Sequence, residues 1–359
     1  MTDRALMAVR EAIGSAVARH QPLSIRGTGS KDFYGQPAAG EPLPLDALQG
    51  IVSYEPTELV ITAWAGTPLA DVSAALAERQ QFLPFEPPQF GAGGTIGGVV
   101  ASGLSGPRRA AAGSVRDYVL GTCLIDARGQ WLQFGGQVMK NVAGYDVSRL
   151  LVGSMGILGV IAQVSLKVMP LPPTERSLQI DTDELDALRL MNQWAQRSLP
   201  ISATCWHEGV LSIRFSGAGS VVDQSCAQFV DRHGARELDD DKAWWARLRD
   251  QRLAFFADDV SAPLWRLSVP SVAPRIDLPG GQIIEWGGAL RWWRTSAPVD
   301  AVRRAAAAVG GTATLFRGGD KSVGVFTALP DPLARIHRRL KAEFDPLGVF
   351  NPGRLYPGL

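Results

Sequence analysis

Apolar residues recur at helical spacing at Leu6, Val9, Ile13 and Val17, with Arg4, Arg10, Glu11 and Arg19 between them, and predict an amphipathic first helix. Leu23 to Arg26 then reads as a short strand running into Gly27-Thr28-Gly29-Ser30-Lys31. Residues 59–64, Leu-Val-Ile-Thr-Ala-Trp, are β-branched and apolar and predict a second strand. Thr67-Pro68 follows as an N-cap and first-turn proline, and Leu69, Val72 and Leu76 share one helical face. Helix, strand, loop, strand and helix in this order make the first 85 residues an α/β unit. Further strands are expected at 118–125 and 131–134. Val160, Ala162, Val164, Leu166 and Val168 alternate with period two, which predicts a strand with one buried face.

Pro170, Pro172 and Pro173 then break the pattern and mark a domain boundary. The stretch 174–330 differs in texture: it holds eight of the ten tryptophans, an acidic run at Glu237–Asp241 and alternating apolar segments, and reads as a separate α+β unit. Asp331-Pro332 opens a last helix with Leu333, Ile336 and Leu340, which Asp345-Pro346-Leu347-Gly348 ends. The expected domains are 1–172, 173–330 and a closing segment, 331–359.

Composition narrows the function. With 46% apolar and 20% charged residues in 359, the chain has ample material for a core. A net charge of +1 provides no field for a polyanion, which argues against a nucleic-acid partner. Cys123, Cys205 and Cys226 form no C-x-x-C pair, and His20, His207, His233 and His337 are scattered, so no metal or iron–sulfur site is expected. The longest uncharged apolar stretch, Leu150 to Leu166, is short and interrupted by glycines, so no transmembrane segment is expected. With no secretory signal at the N-terminus, the expected location is cytoplasmic.

Glycine is the residue in excess. Sixteen of the 39 glycines fall between Gly91 and Gly159. In the first loop, Arg26-Gly27-Thr28-Gly29-Ser30-Lys31, two glycines let successive N–H groups face one concavity, Thr28 and Ser30 add hydroxyls, and Arg26 and Lys31 add positive charge. That suits a phosphate, although the P-loop spacing is absent and a plain turn explains the loop about equally well. The second segment runs from Pro87-Pro88 through Gly91-Ala92-Gly93-Gly94-Thr95-Ile96-Gly97-Gly98 to Ala101-Ser102-Gly103-Leu104-Ser105-Gly106-Pro107. Ile96 stands where a dinucleotide-binding turn needs its third glycine, so a Rossmann turn is disfavoured. Two glycine loops, each after strand-like sequence, favour a diphosphate cofactor over irregular loop packing.

In this combination and order, R-G-x-G-S-K, the second glycine segment and Gly113-Ser114-Val115-Arg116-Asp117 resemble the FAD-binding domain of the vanillyl-alcohol-oxidase/p-cresol-methylhydroxylase (PCMH) family. Lys140-Asn141-Val142-Ala143-Gly144-Tyr145-Asp146, Gly153 to Ile161 and the tail Phe344 to Arg354 extend the match. The likeness is dense over 20–175 and good over the last 25 residues, and within the family it points to the FAD-binding subunits of bacterial glycolate oxidases. It implies a mixed α/β (α+β) fold: a two-subdomain PCMH-type FAD-binding domain, a smaller α+β cap, and a C-terminal segment returning to the FAD domain.

It further implies that residues 26–31 wrap the FAD pyrophosphate, with Pro87, Gly94, Thr95, Ile96, Gly97, Gly98, Ala101, Ser102 and Gly103 packing against diphosphate and flavin. Asp117 would fix a turn or touch ribose, and Gly159, Val160 and Ile161 would meet the adenine end. Some members attach FAD covalently through a histidine in the first loop. This chain has Ser30 after Gly29 and no histidine between His20 and His207, so non-covalent FAD is expected.

The resemblance also implies partners: a paralogous FAD-containing catalytic subunit and an iron–sulfur subunit, with glycolate as substrate of the complex and peripheral association with the inner membrane through it. The catalytic relatives carry H-x-H-x-G-D-G-N in the cap, whereas this chain has Arg317-Gly318-Gly319-Asp320-Lys321. No catalytic residue is therefore assigned, and a flavin-bearing partner subunit is favoured over a self-sufficient oxidoreductase of a small 2-hydroxy acid or alcohol, or a scaffold without flavin. His207-Glu208 reads as structural, because neighbours on a strand face opposite ways. His337 and its arginines, Arg335, Arg338 and Arg339, read as a solvated face. Trp244-Trp245 and Trp292-Trp293 are core residues with a subunit interface as the alternative, Cys123 and Cys226 are buried small residues, and Arg354 is either a surface residue or a partner of flavin or substrate carboxylate.

Overall fold

The computed structural model describes residues 2–91, 93–136, 145–257 and 261–359. Ala92 and the Lys140–Gly144 stretch quoted above lie outside these. The chain divides into two compact units.

The first unit comprises Met1–Leu104, Ser114–Pro170 and Gly324–Leu359. Helix α1 (Thr2–Arg19) buries Val9, Ile13 and Ala16, the stripe set by its apolar spacing. It packs on a core that includes Leu23 and Leu43 of a two-stranded parallel sheet, β1 (Leu23–Arg26) and β2 (Glu41–Pro44). A five-stranded antiparallel sheet follows, in the order β3 (Ile51–Glu55), β4 (Val60–Trp64), β8 (Val160–Lys167), β6 (Val119–Ile125) and β7 (Trp131–Gly135), and β5 (Gln81–Phe82) pairs separately with β9 (Met169–Pro170). Two helices line its larger core: α2 (Leu69–Ala77), through Leu69, Val72 and Leu76, and α3 (Ile96–Ser102).

Two local expectations need correction. Strand β8 is central and loses water on both faces: Val160 and Ala162 join the α1 core, while Ile161, Val164 and Leu166 join the α2/α3 core. Its period-two alternation therefore reflects two apolar faces with only Gln163 and Lys167 half-buried, not one buried face. Pro68, not Thr67, is the residue that caps α2, and it does so without a side-chain bond. The Thr67 hydroxyl instead donates to Trp64 O at 2.6 Å and accepts from Gly50 N at 2.9 Å, closing the corner between β4 and the helix.

The second unit comprises Ser105–Gly113 and Leu171–Val323. Its eight strands are all antiparallel. They are β10 (Thr174–Asp181), β11 (Ile201–His207), β12 (Val210–Gly217), β13 (Arg236–Glu237), β14 (Leu264–Ser268), β15 (Gly281–Glu285), β16 (Leu290–Arg294) and β17 (Thr312–Arg317), ordered β13-β10-β12-β11-β15-β16-β14-β17. The helices Glu184–Ala195, Gly219–His233 and Val299–Ala308 cover one face. Adjacent tryptophans on β16 are both buried because each face has its own packing. Trp293 joins Trp265, Val302 and Ala306, while Trp292 lies edge-on to Phe316 and Phe256 and donates to Glu285 Oε1 at 2.7 Å.

Residues 105–113, inside the span expected for the FAD-binding domain, are bound instead to this second unit. Arg108 is nearly buried and ion-paired with Glu175, and donates to Ser216 Oγ at 3.2 Å. Trp286 Nε1 donates to Gly106 O at 3.0 Å, and the Arg109 guanidinium lies 4.4 Å from the Trp286 ring centre.

Candidate cofactor site

The groove lies within the first unit, where four stretches distant in sequence converge. Its lining includes Ile25, Arg26, Gly27, Thr28, Gly29, Ser30, Lys31 and Asp32 from the end of β1 and the loop after it. Thr95, Gly97, Gly98, Ala101 and Ser102 come from α3 and its cap. Met155, Gly156 and Gly159 come from the turn before β8, Ile161 from the start of that strand, and Asn351 and Arg354 from the tail.

Each wall is held by its own sequence. Thr95 is extended at φ −104° and its hydroxyl accepts from Gly98 N at 3.2 Å, which starts α3. Thr28 Oγ1 donates to Gly93 O at 2.8 Å, tying the first glycine loop to the second. The third wall turns through Met155, buried in the left-handed region at φ 55°. Few side chains hold that conformation without support from around them. Here Met155 N donates to Ala101 O at 2.9 Å and its carbonyl accepts from Asn351 Nδ2 at 2.6 Å.

Asn351 is the clasp. Besides Met155 O, it reaches β1, its Oδ1 accepting from Ile25 N at 2.7 Å, while its own N–H donates to Leu23 O at 2.9 Å. Asn351→Ala strands a buried donor and acceptor, and we expect a cost of about 1–3 kcal/mol in unfolding free energy by urea titration, with faster flavin release. Unchanged values for both would contradict the clasp.

Arg354 is 7% exposed, so it is not a surface residue. Its guanidinium donates to the carbonyls of Gln36, Lys31 (3.3 Å) and Asp32 (3.1 Å) and so fixes the shape of the first loop. Arg26 is ion-paired with Asp32. Lys31 differs from both: its ammonium is buried, has no hydrogen-bond partner among the described residues, and sits 5.8 Å from the centre of the Phe90 ring. Burial pushes it down to about 8. A Cβ on Gly94 would stand 2.8 Å from Lys31 Nζ and 3.2 Å from Ser30 Oγ, so a side chain there would crowd the cation. An unsatisfied cation beside hydroxyls in a glycine-walled groove fits the diphosphate of FAD.

The structure brings Arg26 to Lys31, Thr95, Gly97, Gly98, Ala101, Ser102, Gly159 and Ile161 to this groove, with Gly94 beside Lys31. Other expected residues stand away from its lining. Ile96 and Val160 point into the two cores, Gly103 caps α3 at φ 65°, and Pro87 is buried. Asp117 is exposed and completes a capping box with Ser114, accepting from its N–H at 2.7 Å and its hydroxyl at 3.0 Å. Met155 and Asn351 had no place in the predicted site, although both lie in stretches that carried the resemblance.

In the second unit, His207 and Glu208 do approach, with Nε2 to Oε2 at 3.8 Å. Glu208 has left the strand for a turn at φ 47°, so the opposite-faces rule does not reach it. His207 Nδ1 is engaged with Gln282 O at 3.0 Å, a structural bond. Among the described residues no cluster of three His, Cys, Asp or Glu suits a metal, and no helix is long and apolar enough to cross a membrane.

A family model described as an FAD binding domain matches residues 6–135. Glycolate oxidase subunit GlcE of Escherichia coli (strain K12) is 47% identical over 352 residues, spanning 98% of this chain and 97% of its own length. The chain belongs to the GlcE family of glycolate oxidase subunits. FAD is the cofactor of this family's binding domain. Glycolate oxidase subunit GlcD of Bacillus subtilis (strain 168) is 32% identical over 168 residues, 46% of this chain and 36% of its own. A solved structure of alkyldihydroxyacetonephosphate synthase overlays with a TM-score of 0.69 at 15% identity, covering 97% of this chain and 75% of its own, which is a likeness of fold. That fold is the mixed α/β, PCMH-type FAD-binding architecture that the family resemblance implied.

Proposed function

We propose that the chain is the FAD-binding subunit of a multi-subunit glycolate oxidase that converts glycolate to glyoxylate. Electrons would leave through an iron–sulfur subunit to an acceptor other than oxygen. The observation that carries this reading is the 47% identity to E. coli GlcE along nearly the whole of both chains. Partial similarity to GlcD supports a paralogous flavoprotein as the second subunit, the one that meets substrate.

When bound, FAD supplies a two-electron acceptor. The protein's own residues do the holding. Thr28, Ser30 and Lys31 would face the diphosphate, Gly97, Gly98 and Ala101 would let it approach α3, and Asn351 and Arg354 would keep the loops in register. No histidine or cysteine lines the groove among the described residues, which supports dissociable FAD. His337 packs edge-on to the Tyr356 ring, and His233 lies against Trp194 and Phe229 with its pKa lowered, mainly by burial.

The test is an anaerobic spectrum of the purified chain before and after glycolate. We expect flavin absorbance at about 450 nm, a general flavin value, that glycolate does not bleach until the partner subunits are added. Bleaching of the lone chain would overturn the partner-subunit reading in favour of a self-sufficient oxidoreductase.

A further inference from the structure

Among the described residues three cationic side chains line the groove, and two are already committed. Arg26 is ion-paired with Asp32, and Arg354 is spent on three backbone carbonyls. Asp32 is the acidic residue of the same lining, and it faces Arg26 rather than Lys31. Lys31 alone of the three carries a desolvated head group without a hydrogen-bond acceptor among the described residues. A buried ammonium in that condition is a poor resting state, because nothing repays the water it lost.

We propose that Lys31 is the residue that selects an anionic diphosphate, its ammonium form meeting the cofactor, so that the groove prefers FAD to uncharged riboflavin. This rests on the placement of FAD in the groove argued above. The diphosphate supplies the missing acceptors and two negative charges, and both favour the ammonium over the amine. Arg354 is held by three backbone carbonyls and Arg26 by Asp32, which leaves Lys31 as the cation of this lining with open donors.

The sign of the linkage follows. With burial holding Lys31 near 8 before the cofactor binds, it is charged below that pH and binding needs no proton. Above it, the amine must be protonated on binding, so affinity falls by up to tenfold per pH unit until the higher pKa of the filled site is reached. From pH 7.5 to 9.5 the dissociation constant of FAD should rise about twentyfold by the same linkage.

The experiment uses the full-length chain and reads free flavin fluorescence after ultrafiltration, for FAD and for riboflavin. Lys31→Arg should bind FAD with no slope over this pH range, since a guanidinium stays charged. Lys31→Met should bind FAD weakly at every pH, also without slope, and leave riboflavin binding as it was. A flat wild-type profile, or a slope that persists in Lys31→Met, overturns the proposal. Gly94→Leu separates the two levels, with circular dichroism as the folding check. If a folded Gly94→Leu chain keeps FAD normally, the groove is not the cofactor site. If it loses FAD while wild type shows no slope, only the role of Lys31 fails.

Discussion

Gly97→Ala is expected to destabilise the chain by about 3 kcal/mol or more, and to empty it of flavin as a consequence. A Cβ at this position would stand 2.5 Å from Ala65 Cβ, 2.8 Å from Ala65 O and 3.0 Å from Ala65 Cα. Two of these three are backbone atoms and cannot swing away. They are also pinned, because Gly97 N donates to Ala65 O at 2.8 Å, Ile96 N to Thr67 O at 2.9 Å, and Leu69 N to Gly94 O at 2.8 Å. The start of α3 is thus laced to the corner after β4, and a methyl group must push them apart. Urea denaturation and flavin per chain are the measurements, and a folded variant of unchanged midpoint would show that α3 is not seated in this way. Gly97→Val should be worse. The sequence reading set this glycine against the cofactor, whereas the missing side chain faces Ala65 and only the backbone borders the groove.

Asp345→Ala is expected to cost about 3–5 kcal/mol, the usual penalty for stripping one partner from a buried ion pair. The carboxylate is fully buried and accepts from Lys341 Nζ at 2.6 Å, Phe350 N at 2.8 Å and Val349 N at 3.0 Å. Lys341 spends its other donors on Ile157 O and Phe350 O, both at 2.7 Å. Burial lowers its pKa and Asp345 opposes that, so the ammonium depends on the carboxylate. Removing the carboxylate leaves a buried cation and two backbone donors unmatched. Thermal and urea unfolding will measure the loss, and a change below about 1 kcal/mol would mean that water repairs the site. The double variant Lys341→Met/Asp345→Leu should lose less than Asp345→Ala, since it leaves no lone charge behind.

Much of the fold could be read from periodicity. Val9 and Ile13, Leu69, Val72 and Leu76, and the strands now at 119–125 and 131–135 fall where spacing put them. Features set by long-range neighbours could not be read. The corner at Thr67 depends on where the Gly50 backbone lies, and the burial of Trp292 depends on Phe256 and Phe316 arriving from either side in sequence. For Asp117 the resemblance left a turn and a ribose contact as alternatives, and only the fold shows that it holds the turn at Ser114. Met155 and Asn351 gave no local signal, since neither residue type marks a cofactor and their roles appear only when distant stretches meet. Arg354 left its two readings open for the same reason.

The clasp at Asn351 bears on the order of events during translation. Its partner Ile25 precedes it by 326 positions, yet the groove is shaped only when both are present. The strands and glycine loops of the first unit emerge before Asn351 and can collapse on their own core, but the side chain that ties Met155 to β1 follows Ile25 by 326 positions. Flavin loading is therefore expected to wait for residue 351, and a chain cut before it should be colourless even where its earlier parts have folded. Flavin content would then report whether Asn351 has met Ile25 and Met155, and an assembling oxidase that accepts only the yellow form would screen out copies in which it has not.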